Sequence, residues 1–327
     1  MVYVKPLHTI GRYFKNKFGE KVYKVPVSIS GFTCPNIDGT VAKGGCTFCE
    51  NESFSPNLTD KSKFKLNSRS TTNPYLETQL QQMKIQFDTT SQILRNKFGA
   101  NKFIVYFQSF TNTYAPLDTL KHLYEEALCF DNVVGLSIGT RTDCITEEIL
   151  DYLVEISHRP IPNHHLNYEV WVEYGIQSFY DETLSKINRG HDAQNMVDWI
   201  KITKDKGLLV CGHLIYGLPD ETQAMMLQSH QKTIDMGVDS VKYHPLYVVK
   251  NTLLTKTFLD GKFTPISEEL YIDTVVKSIL QLPQNISIQR ITAGIDDPSL
   301  LSPNWCRDKH QQMFNLKEQL KLHNLCY

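Results

Sequence analysis

The amino-acid sequence predicts an α/β fold, a partial or full (β/α) barrel. Short apolar segments rich in β-branched residues alternate with helical patterns along most of the 327 residues, and six or seven such units can be counted. Apolar strands separated by helices pair in parallel and carry the helices on the outside. The sequence has no glycine-rich dinucleotide fingerprint, so a barrel is favoured over a doubly wound sheet.

The first predicted unit joins a strand at residues 25–30 to a helix at residues 74–97. The strand reads VPVSIS, which is short and alternates β-branched with other residues. The helix has Leu76, Leu80 and Met83 at three- and four-residue steps, which places them on one face. The same two patterns recur downstream. They predict strands at 103–107, 133–138, 168–176, 208–218, 240–246 and 286–291, with helices at 117–130, 145–157, 192–207, 221–237 and 267–282.

The chain is predicted to form one domain, because it contains no internal repeat and no low-complexity linker. We expect the barrel at residues 25–294, a basic N-terminal extension at 1–24 and a helical tail at 295–327. The formal net charge of −1 argues against a whole-protein field for nucleic acid. The extension could bind phosphates if it lies beside the barrel mouth, or it could be an ordinary solvated face. Its cations are Lys5, Arg12, Lys15, Lys17, Lys21 and Lys24, against Glu20.

The N-terminal segment does not have the pattern of a signal peptide, and no apolar run approaches the roughly 18 residues needed to span a bilayer. We therefore expect a cytoplasmic protein without a membrane partner. In that compartment most of the eight cysteines are reduced. Five are scattered and are expected to be small buried residues: Cys129, Cys144, Cys211, Cys306 and Cys326.

A cluster of three cysteines follows the first predicted strand. Cys34, Cys46 and Cys49 lie close together, and the next candidate ligands along the chain are His122 and Cys129. A structural zinc or a cubane cluster normally takes four protein ligands. In a (β/α) barrel the loops after the strands form the active site. An open coordination position in such a loop is typical of a catalytic metal rather than a structural one.

The spacing Cys34-x11-Cys46-x2-Cys49, with Phe48 before the third cysteine, resembles the cluster loop of radical S-adenosylmethionine (radical SAM) enzymes. The long first gap resembles the Elongator-type branch of tRNA-modifying enzymes, and GFTCPNIDGTVAKGGCTFCE is similar to a small bacterial family within that branch. The resemblance implies that the three thiolates hold three irons of a [4Fe–4S] cluster and that SAM binds the fourth. It also implies a barrel of the radical SAM type and a reductant such as flavodoxin or ferredoxin. The alternative is a zinc loop that borrows a distant histidine.

Two later segments match places where the family binds SAM. Gln108, Ser109 and Thr111 end the second predicted barrel strand, in place of a Gly-Gly-Glu motif. The resemblance implies that these residues and the local backbone hold the SAM amino group; an ordinary polar turn is the alternative. The segment SIGTRTDC at 137–144, which contains Arg141, resembles a Glu-Thr-Arg-Pro-Asp stretch of the family and implies a further SAM contact.

The sequence departs from the family pattern at the expected ribose contact of SAM. Gly139 stands where relatives have a carboxylate for the ribose hydroxyls, and Asp143 and Glu173 are the candidates to replace it. Gln177, in YGIQS, is expected near the SAM ribose or methionine. Gln177 and Glu173 are four residues apart in a predicted strand, so they share a face if no bulge intervenes.

Four further residues are candidates for binding or catalysis. The resemblance of INRGHD to a family pattern implies that Arg189 pairs with the SAM carboxylate; the alternative is a surface ion pair. His213 is expected to touch the adenosine or to be an ordinary core residue. Lys242 and His244 share one strand face and are either substrate or acid/base residues or a structural pair. The resemblance weakens after Arg290, on the expected substrate side.

Three functional hypotheses stay open. The first is a radical SAM enzyme on a tRNA wobble uridine, because the resemblance implies conversion of 5-carboxymethylaminomethyluridine to 5-aminomethyluridine. The second is a radical SAM enzyme that acts on a small metabolite or a protein. The third is a zinc-stapled RNA-binding module without catalysis. The suspected macromolecular partner is therefore tRNA.

Overall fold

The structure, a computed structural model, describes residues 5–50, 65–295 and 297–327. The start of the predicted N-terminal extension, part of the predicted barrel after the cysteine loop and one residue of the predicted tail lie outside these ranges. The described strands are β1 (Lys5–Pro6), β2 (Val22–Val27), β3 (Lys102–Phe107), β4 (Val133–Thr140), β5 (Glu169–Gln177), β6 (Leu209–Tyr216), β7 (Ser240–Pro245), β8 (Val248–Val249), β9 (Ser287–Arg290), β10 (Leu300–Ser302) and β11 (Leu325–Cys326).

Helices fill most of the connections between these strands. Within the described ranges, none of them is both long enough and apolar enough to cross a membrane. The α-helices are α1 (Ile10–Phe18), α2 (Leu76–Phe98), α3 (Leu117–Leu128), α4 (Glu147–Ser157), α5 (Asp181–Lys186), α6 (Ala193–Asp205), α7 (Gln223–Asp235), α8 (Leu253–Leu259), α9 (Glu268–Gln281) and α10 (Lys309–Leu322).

Seven parallel strands form one curled sheet in the order β2-β3-β4-β5-β6-β7-β9. The predicted α/β architecture is confirmed, and the sheet is a partial barrel because no ladder in the described chain joins β2 to β9. The two edges nevertheless face each other, since the Lys24 ammonium on β2 lies 2.6 Å from Gln289 Oε1 on β9. The segment before α1 also borders β9, where the Ile288 N–H donates to the His8 carbonyl over 2.8 Å.

The predicted elements agree with the structure within a few residues, and the first strand shows the largest shift. The strand predicted at 25–30 is β2, which begins at Val22 and ends at Val27. It ends there because a side chain of α2 replaces the next strand as hydrogen-bond partner. The Ser28 N–H donates to Gln86 Oε1 over 2.8 Å, and Gln86 Nε2 donates to the Ser28 carbonyl over 3.0 Å.

The two faces of the sheet have different surroundings. Outward residues such as Val105 and Val172 are fully buried against the helices in the main hydrophobic core. Inward residues near the amino ends of the strands, such as Ile104 and Trp171, form a second apolar cluster. Glu173 follows on the inward face, so the interior becomes charged toward the carboxyl ends of the strands.

Helix α1 closes the amino end of the sheet. Phe14 and Phe18 complete the inward apolar cluster, and Lys17 pairs with Glu169, the first residue of β5. The part of the basic N-terminal segment that forms α1 therefore lies at the end of the sheet opposite to the cysteine loop, which leaves the carboxyl end of β2. The condition for a phosphate track, that this segment lies beside the barrel mouth, is not met, because α1 is amphipathic and its apolar residues cover the amino ends of the strands.

Candidate active site

The cysteine loop is a compact turn directly after β2. Both the Ile37 and the Asp38 N–H groups donate to the Cys34 carbonyl, over 2.9 and 3.1 Å. Gly44 and Gly45 have φ angles of 84° and 76°, in the left-handed region that glycine adopts most easily. The two glycines therefore turn the chain so that it returns toward its start before the second cysteine.

A distant segment clamps this loop. Asn188, in the INRGHD segment after α5, donates from its side chain to the Lys43 and Gly45 carbonyls over 3.0 and 2.7 Å. In return, Asn36 Nδ2 donates to the Asn188 carbonyl over 2.9 Å. The next glycine, Gly190, has a φ of 81°, and a Cβ there would lie 2.8 Å from a Val41 methyl carbon. The segment thus positions the cysteines, a role that the sequence analysis did not assign to it.

Each of two cysteine sulfurs receives a polar neighbour. Thr111 Oγ1 donates to Cys34 Sγ over 3.0 Å, and Asn36 Nδ2 donates to Cys46 Sγ over 3.2 Å. Arg189 Nη1 lies 3.7 Å from Cys46 Sγ. Burial raises the pKa of the Cys34 thiol to about 11, although Thr111 and nearby arginines act in the opposite direction. A metal group that binds here must therefore displace the thiol proton.

The arrangement of the three sulfurs does not match the ligand spacing of one zinc ion. Three sulfurs on one tetrahedral zinc lie about 3.8 Å apart, given a Zn–S distance of about 2.3 Å. In the described part of the chain, only Glu173, Cys211 and His213 bring three such ligand atoms within 4.8 Å of one another. The three loop sulfurs do not all lie within 4.8 Å of one another, so as they stand they do not form a three-ligand zinc site.

The loop borders a cleft with two connected compartments at the carboxyl ends of the strands. The inner compartment has a volume of about 190 Å³ and touches all three cysteines. The outer compartment has a volume of about 650 Å³ and is bordered by β7, β9 and the following segment. Six residues line both: Phe48, Cys49, Tyr106, Gln108, Gln177 and His213.

The cleft brings together most of the residues that the sequence predicted as a site. Lys242 is the exception, because its side chain lines neither compartment. Ser109 and His244 line the outer compartment. The inner compartment contains the cysteines, Thr111, Arg141, Glu173 and Arg189, and shares Phe48, Gln108, Gln177 and His213 with the outer one.

Two arginines lie beside the cysteines with unused hydrogen-bond donors. Arg141 forms a bidentate pair with Asp143 over 2.8 and 2.7 Å, so Asp143 is already engaged. Arg189 Nη2 donates to the Gly175 carbonyl over 2.6 Å. Arg141 Nη1 and Arg189 Nε are buried and have no hydrogen-bond partner among the described residues. Buried guanidinium N–H groups without partners fit an anionic ligand, such as the carboxylate of SAM.

Glu173 is the centre of a buried charge network. Its carboxylate accepts hydrogen bonds from Lys24, Lys242 and Ser137, and from His213 Nε2 over 2.7 Å. Burial opposes its ionisation, yet Lys24 and Lys242 hold the pKa of Glu173 well below its usual range. Burial lowers the pKa of His213 to about 4, so that imidazole is neutral at pH 7. Glu173 therefore anchors side chains from four strands.

A bulge separates Glu173 from Gln177. The pairing of β5 with β6 shifts register between Gly175 and Gln177, and Gln177 has a φ of 68°. The expectation that Glu173 and Gln177 share a strand face required a strand without a bulge, and this requirement is not met. Both side chains still line the inner compartment, because the bulge turns the end of β5 toward the cleft.

Several residues of the site escaped sequence reasoning. Asn36 and Asn188 hold the loop, and Tyr106 accepts a hydrogen bond from Lys242 over 3.2 Å. Arg290, at the end of β9, contacts His244 over 3.3 Å. The place of Arg290 at a strand end was the available signal, because carboxyl ends of parallel strands carry the site.

Known proteins resemble this chain over most of its length. The profile of the Radical SAM superfamily matches residues 39–232, and that of the Radical_SAM C-terminal domain matches residues 238–322. Protein YhcC of Escherichia coli (strain K12) is 35% identical over 321 residues, which are 98% of this chain and 94% of that protein. The tRNA uridine(34) acetyltransferase of Methanocaldococcus infernus is 28% identical over 165 residues, 50% of this chain but 29% of that enzyme.

Among solved structures, an archaeal Elp3 resembles this fold. It is the Methanocaldococcus infernus Elp3 with an N-terminal deletion, which superposes with a TM-score of 0.58 at 18% identity. The match covers 92% of this chain and 63% of that one. At this identity the likeness shows a shared fold.

Proposed function

We propose that this chain, which belongs to the radical SAM superfamily, acts on a tRNA wobble uridine and converts 5-carboxymethylaminomethyluridine to 5-aminomethyluridine. The chain is a radical SAM enzyme, and its cofactors are a [4Fe–4S] cluster and SAM. When bound, this pair supplies a 5′-deoxyadenosyl radical that abstracts a hydrogen atom from the substrate. The proposal therefore concerns the substrate and the residues that hold each group.

The residues of the inner compartment suit these cofactors. Cys34, Cys46 and Cys49 hold the cluster in this proposal, and the free donors of Arg141 and Arg189 hold anionic groups beside it. The Thr111 hydroxyl donates to a cysteine, but its oxygen can still accept a hydrogen bond from the SAM amino group. His213 and Gln177 border both compartments and stand between cofactor and substrate.

The observation that carries the tRNA proposal is a set of exposed lysines on the cysteine loop and on the segment around α8, which contacts that loop. We name this set the basic rim. Its lysines are exposed, and in the described chain no carboxylate lies within 4.0 Å of their ammonium groups. One lies in the cysteine loop, and the other three precede, belong to and follow α8, whose Leu254 N–H donates to the Thr47 carbonyl of that loop over 2.8 Å. The basic rim consists of Lys43, Lys250, Lys256 and Lys262.

Similarity to a tRNA-modifying enzyme supports the same proposal. The matched M. infernus enzyme carries the name tRNA uridine(34) acetyltransferase, and half of this chain aligns with it. The alignment covers 29% of that enzyme, so most of the enzyme's length has no counterpart in the match. The aligned half is therefore compatible with a common RNA substrate and a different outcome of the reaction.

The proposed conversion needs one accessible C–H bond. Loss of a hydrogen atom from the carbon between nitrogen and carboxylate, followed by loss of one electron and of the amine proton, would give an imine. SAM would be the two-electron oxidant and would leave as methionine and 5′-deoxyadenosine. Its hydrolysis leaves the primary amine on the uridine and releases the two-carbon unit as glyoxylate. A wobble base flipped out of the anticodon stack can place this side chain in the outer compartment.

Mass analysis of tRNA nucleosides tests the proposal. In cells without this protein, 5-carboxymethylaminomethyluridine should accumulate at the expense of its aminomethyl products. The reconstituted enzyme, given dithionite and SAM under anaerobic conditions, should reverse this change in purified tRNA. An unchanged wobble-uridine profile would favour the second hypothesis, a small metabolite or a protein as substrate.

A matched pair of variants tests the basic rim. Lys43→Gln with Lys256→Gln should weaken tRNA binding and reduce the salt dependence by up to about two phosphate contacts. Lys15→Gln with Lys21→Gln removes the same charge from exposed positions at the opposite end of the sheet, and should leave tRNA binding unchanged. A larger effect of the second pair would show that tRNA approaches from the amino end.

A further inference from the structure

Two cations line the outer compartment and have no acidic partner among the residues that the structure describes. Arg290 is the last residue of β9 and Lys309 is the first residue of α10, and both line this compartment. Among the described residues, no carboxylate lies within 4.0 Å of either cation. Burial and then the nearby Arg290 charge lower the pKa of Lys309. Two like charges that face one cavity create a place for an anion.

A histidine directs Arg290 into the cleft. Arg290 Nη1 donates to His244 Nε2 over 3.3 Å, and burial followed by the Arg290 charge holds the pKa of His244 well below its usual range. The histidine is therefore a neutral acceptor that uses one guanidinium nitrogen. The other donors of Arg290 have no hydrogen-bond partner in the described chain.

The cation pair lies close to the reactive compartment. The ring centroids of His244 and His213 are 6.2 Å apart, and His213 lines both compartments. A group bound at Arg290 is thus separated from the inner compartment by two histidine rings. The described lining contains one acid, Asp297, which is exposed and accepts from the Ser299 N–H over 2.7 Å.

We propose that Arg290 and Lys309 form a carboxylate-binding subsite that selects the substrate by an anionic group next to its reactive carbon. This inference rests on the proposed function, in which the substrate has a carboxylate bonded to the carbon that loses hydrogen. The planar guanidinium fork matches a carboxylate, and the lysine adds charge. The aminomethyl product has no carboxylate, so the same subsite favours substrate over product.

Two RNA probes that differ only in this charge test the subsite. The probes are anticodon stem-loops with 5-carboxymethylaminomethyluridine or its methyl ester at the wobble position. Dissociation constants are measured with anaerobic, cluster-loaded enzyme and SAM, without reductant. The native enzyme should bind the acid roughly 10- to 100-fold more tightly than the ester. Arg290→Gln should lose most of this preference and keep only the share that Lys309 contributes, and Arg290→Lys should keep more of it.

Control variants separate this effect from general damage. Arg69→Gln removes the same charge from an exposed position and should keep the full preference. Lys309→Gln changes an exposed residue and should reduce the preference roughly threefold to tenfold. The iron content of each variant after reconstitution shows whether it has folded. If Arg290→Gln does not fold, the result for Lys309→Gln decides whether the subsite exists.

Each other outcome overturns the subsite. These outcomes are a native enzyme without preference, an Arg290→Gln variant that keeps the full preference, and equal weakening of acid and ester, which would place an RNA phosphate at Arg290. Product formation is read separately after reduction. An enzyme that prefers the acid yet forms no 5-aminomethyluridine would refute the proposed function and leave the subsite standing.

Discussion

Replacement of Glu173 by Gln should strongly destabilise the protein, because Glu173 is the counter-charge of two buried lysines. Its carboxylate has no exposure to solvent, and the Lys24 and Lys242 side chains are 16% and 5% exposed. With His213 neutral, the native group carries one negative and two positive charges. Glu173→Gln leaves both positive charges without a counter-charge. Breaking a buried pair in this way costs about 3–5 kcal/mol.

Lys242→Met is the matched comparison. It removes one ammonium and leaves Lys24 paired with Glu173, so the remaining charges balance. We expect a cost of about 1–2 kcal/mol, from the lost Tyr106 contact and imperfect packing. The two variants therefore distinguish charge balance from the mere number of ion pairs.

Urea unfolding of the cluster-free protein at pH 7 provides the measurement. Circular dichroism and the fluorescence of buried Trp171 report the transition. With a slope of about 3 kcal/mol per molar urea, Glu173→Gln should lower the midpoint by about 1 to 1.7 M. A smaller decrease for Glu173→Gln than for Lys242→Met would refute the charge-balance reasoning.

Three further predictions concern the cluster, SAM and pH. Cys46→Ala should prevent cluster assembly while the protein stays soluble; about four irons per chain after anaerobic reconstitution would contradict the ligand assignment. Arg189→Ala should weaken SAM binding by about 1.5–3 kcal/mol in equilibrium dialysis, since a charge-assisted hydrogen bond is lost. An unchanged dissociation constant for SAM would show that Arg189 does not bind SAM and that its role is limited to its contact with Cys46 in the cysteine loop. Burial lowers the pKa of Lys242 to about 8, below its unfolded value of about 10.4. The free energy of unfolding should therefore rise from about pH 8 to 10.4 as the buried ammonium loses its proton, relative to Lys242→Met, and a constant difference would show that Lys242 titrates normally.

The sheet could be predicted because its signals are local. Strands buried on both faces need continuous apolar runs, and helices need caps, such as Asp192, which accepts from the Asn195 N–H over 2.8 Å. The cysteine spacing likewise lies within one short segment. Most residues at the carboxyl ends of the strands therefore reached the cleft as predicted.

Tertiary contacts between distant segments could not be predicted in this way. Lys24 was assigned to a basic extension, but its ammonium pairs with Glu173 inside the sheet because β2 contributes alternate residues to the interior. Lys242 was a candidate for catalysis, and the same carboxylate engages it. The hydrogen bonds from Asn188 to the cysteine loop depend on the turn that follows α5. The sequence of that turn contains no local pattern that predicts a contact with the cysteine loop.

Synthesis of this protein on the ribosome separates the cysteines from their clamp in time. Asn188 follows Gly45 by 143 residues, and at about 5–20 residues per second the gap lasts roughly 7 to 30 seconds. During that interval the three thiols emerge on a chain that has the turns of the loop but lacks its hydrogen bonds with Asn188. The clamped arrangement of the loop can therefore form only after β5 and α5 have been synthesised, since Asn188 follows both elements along the chain.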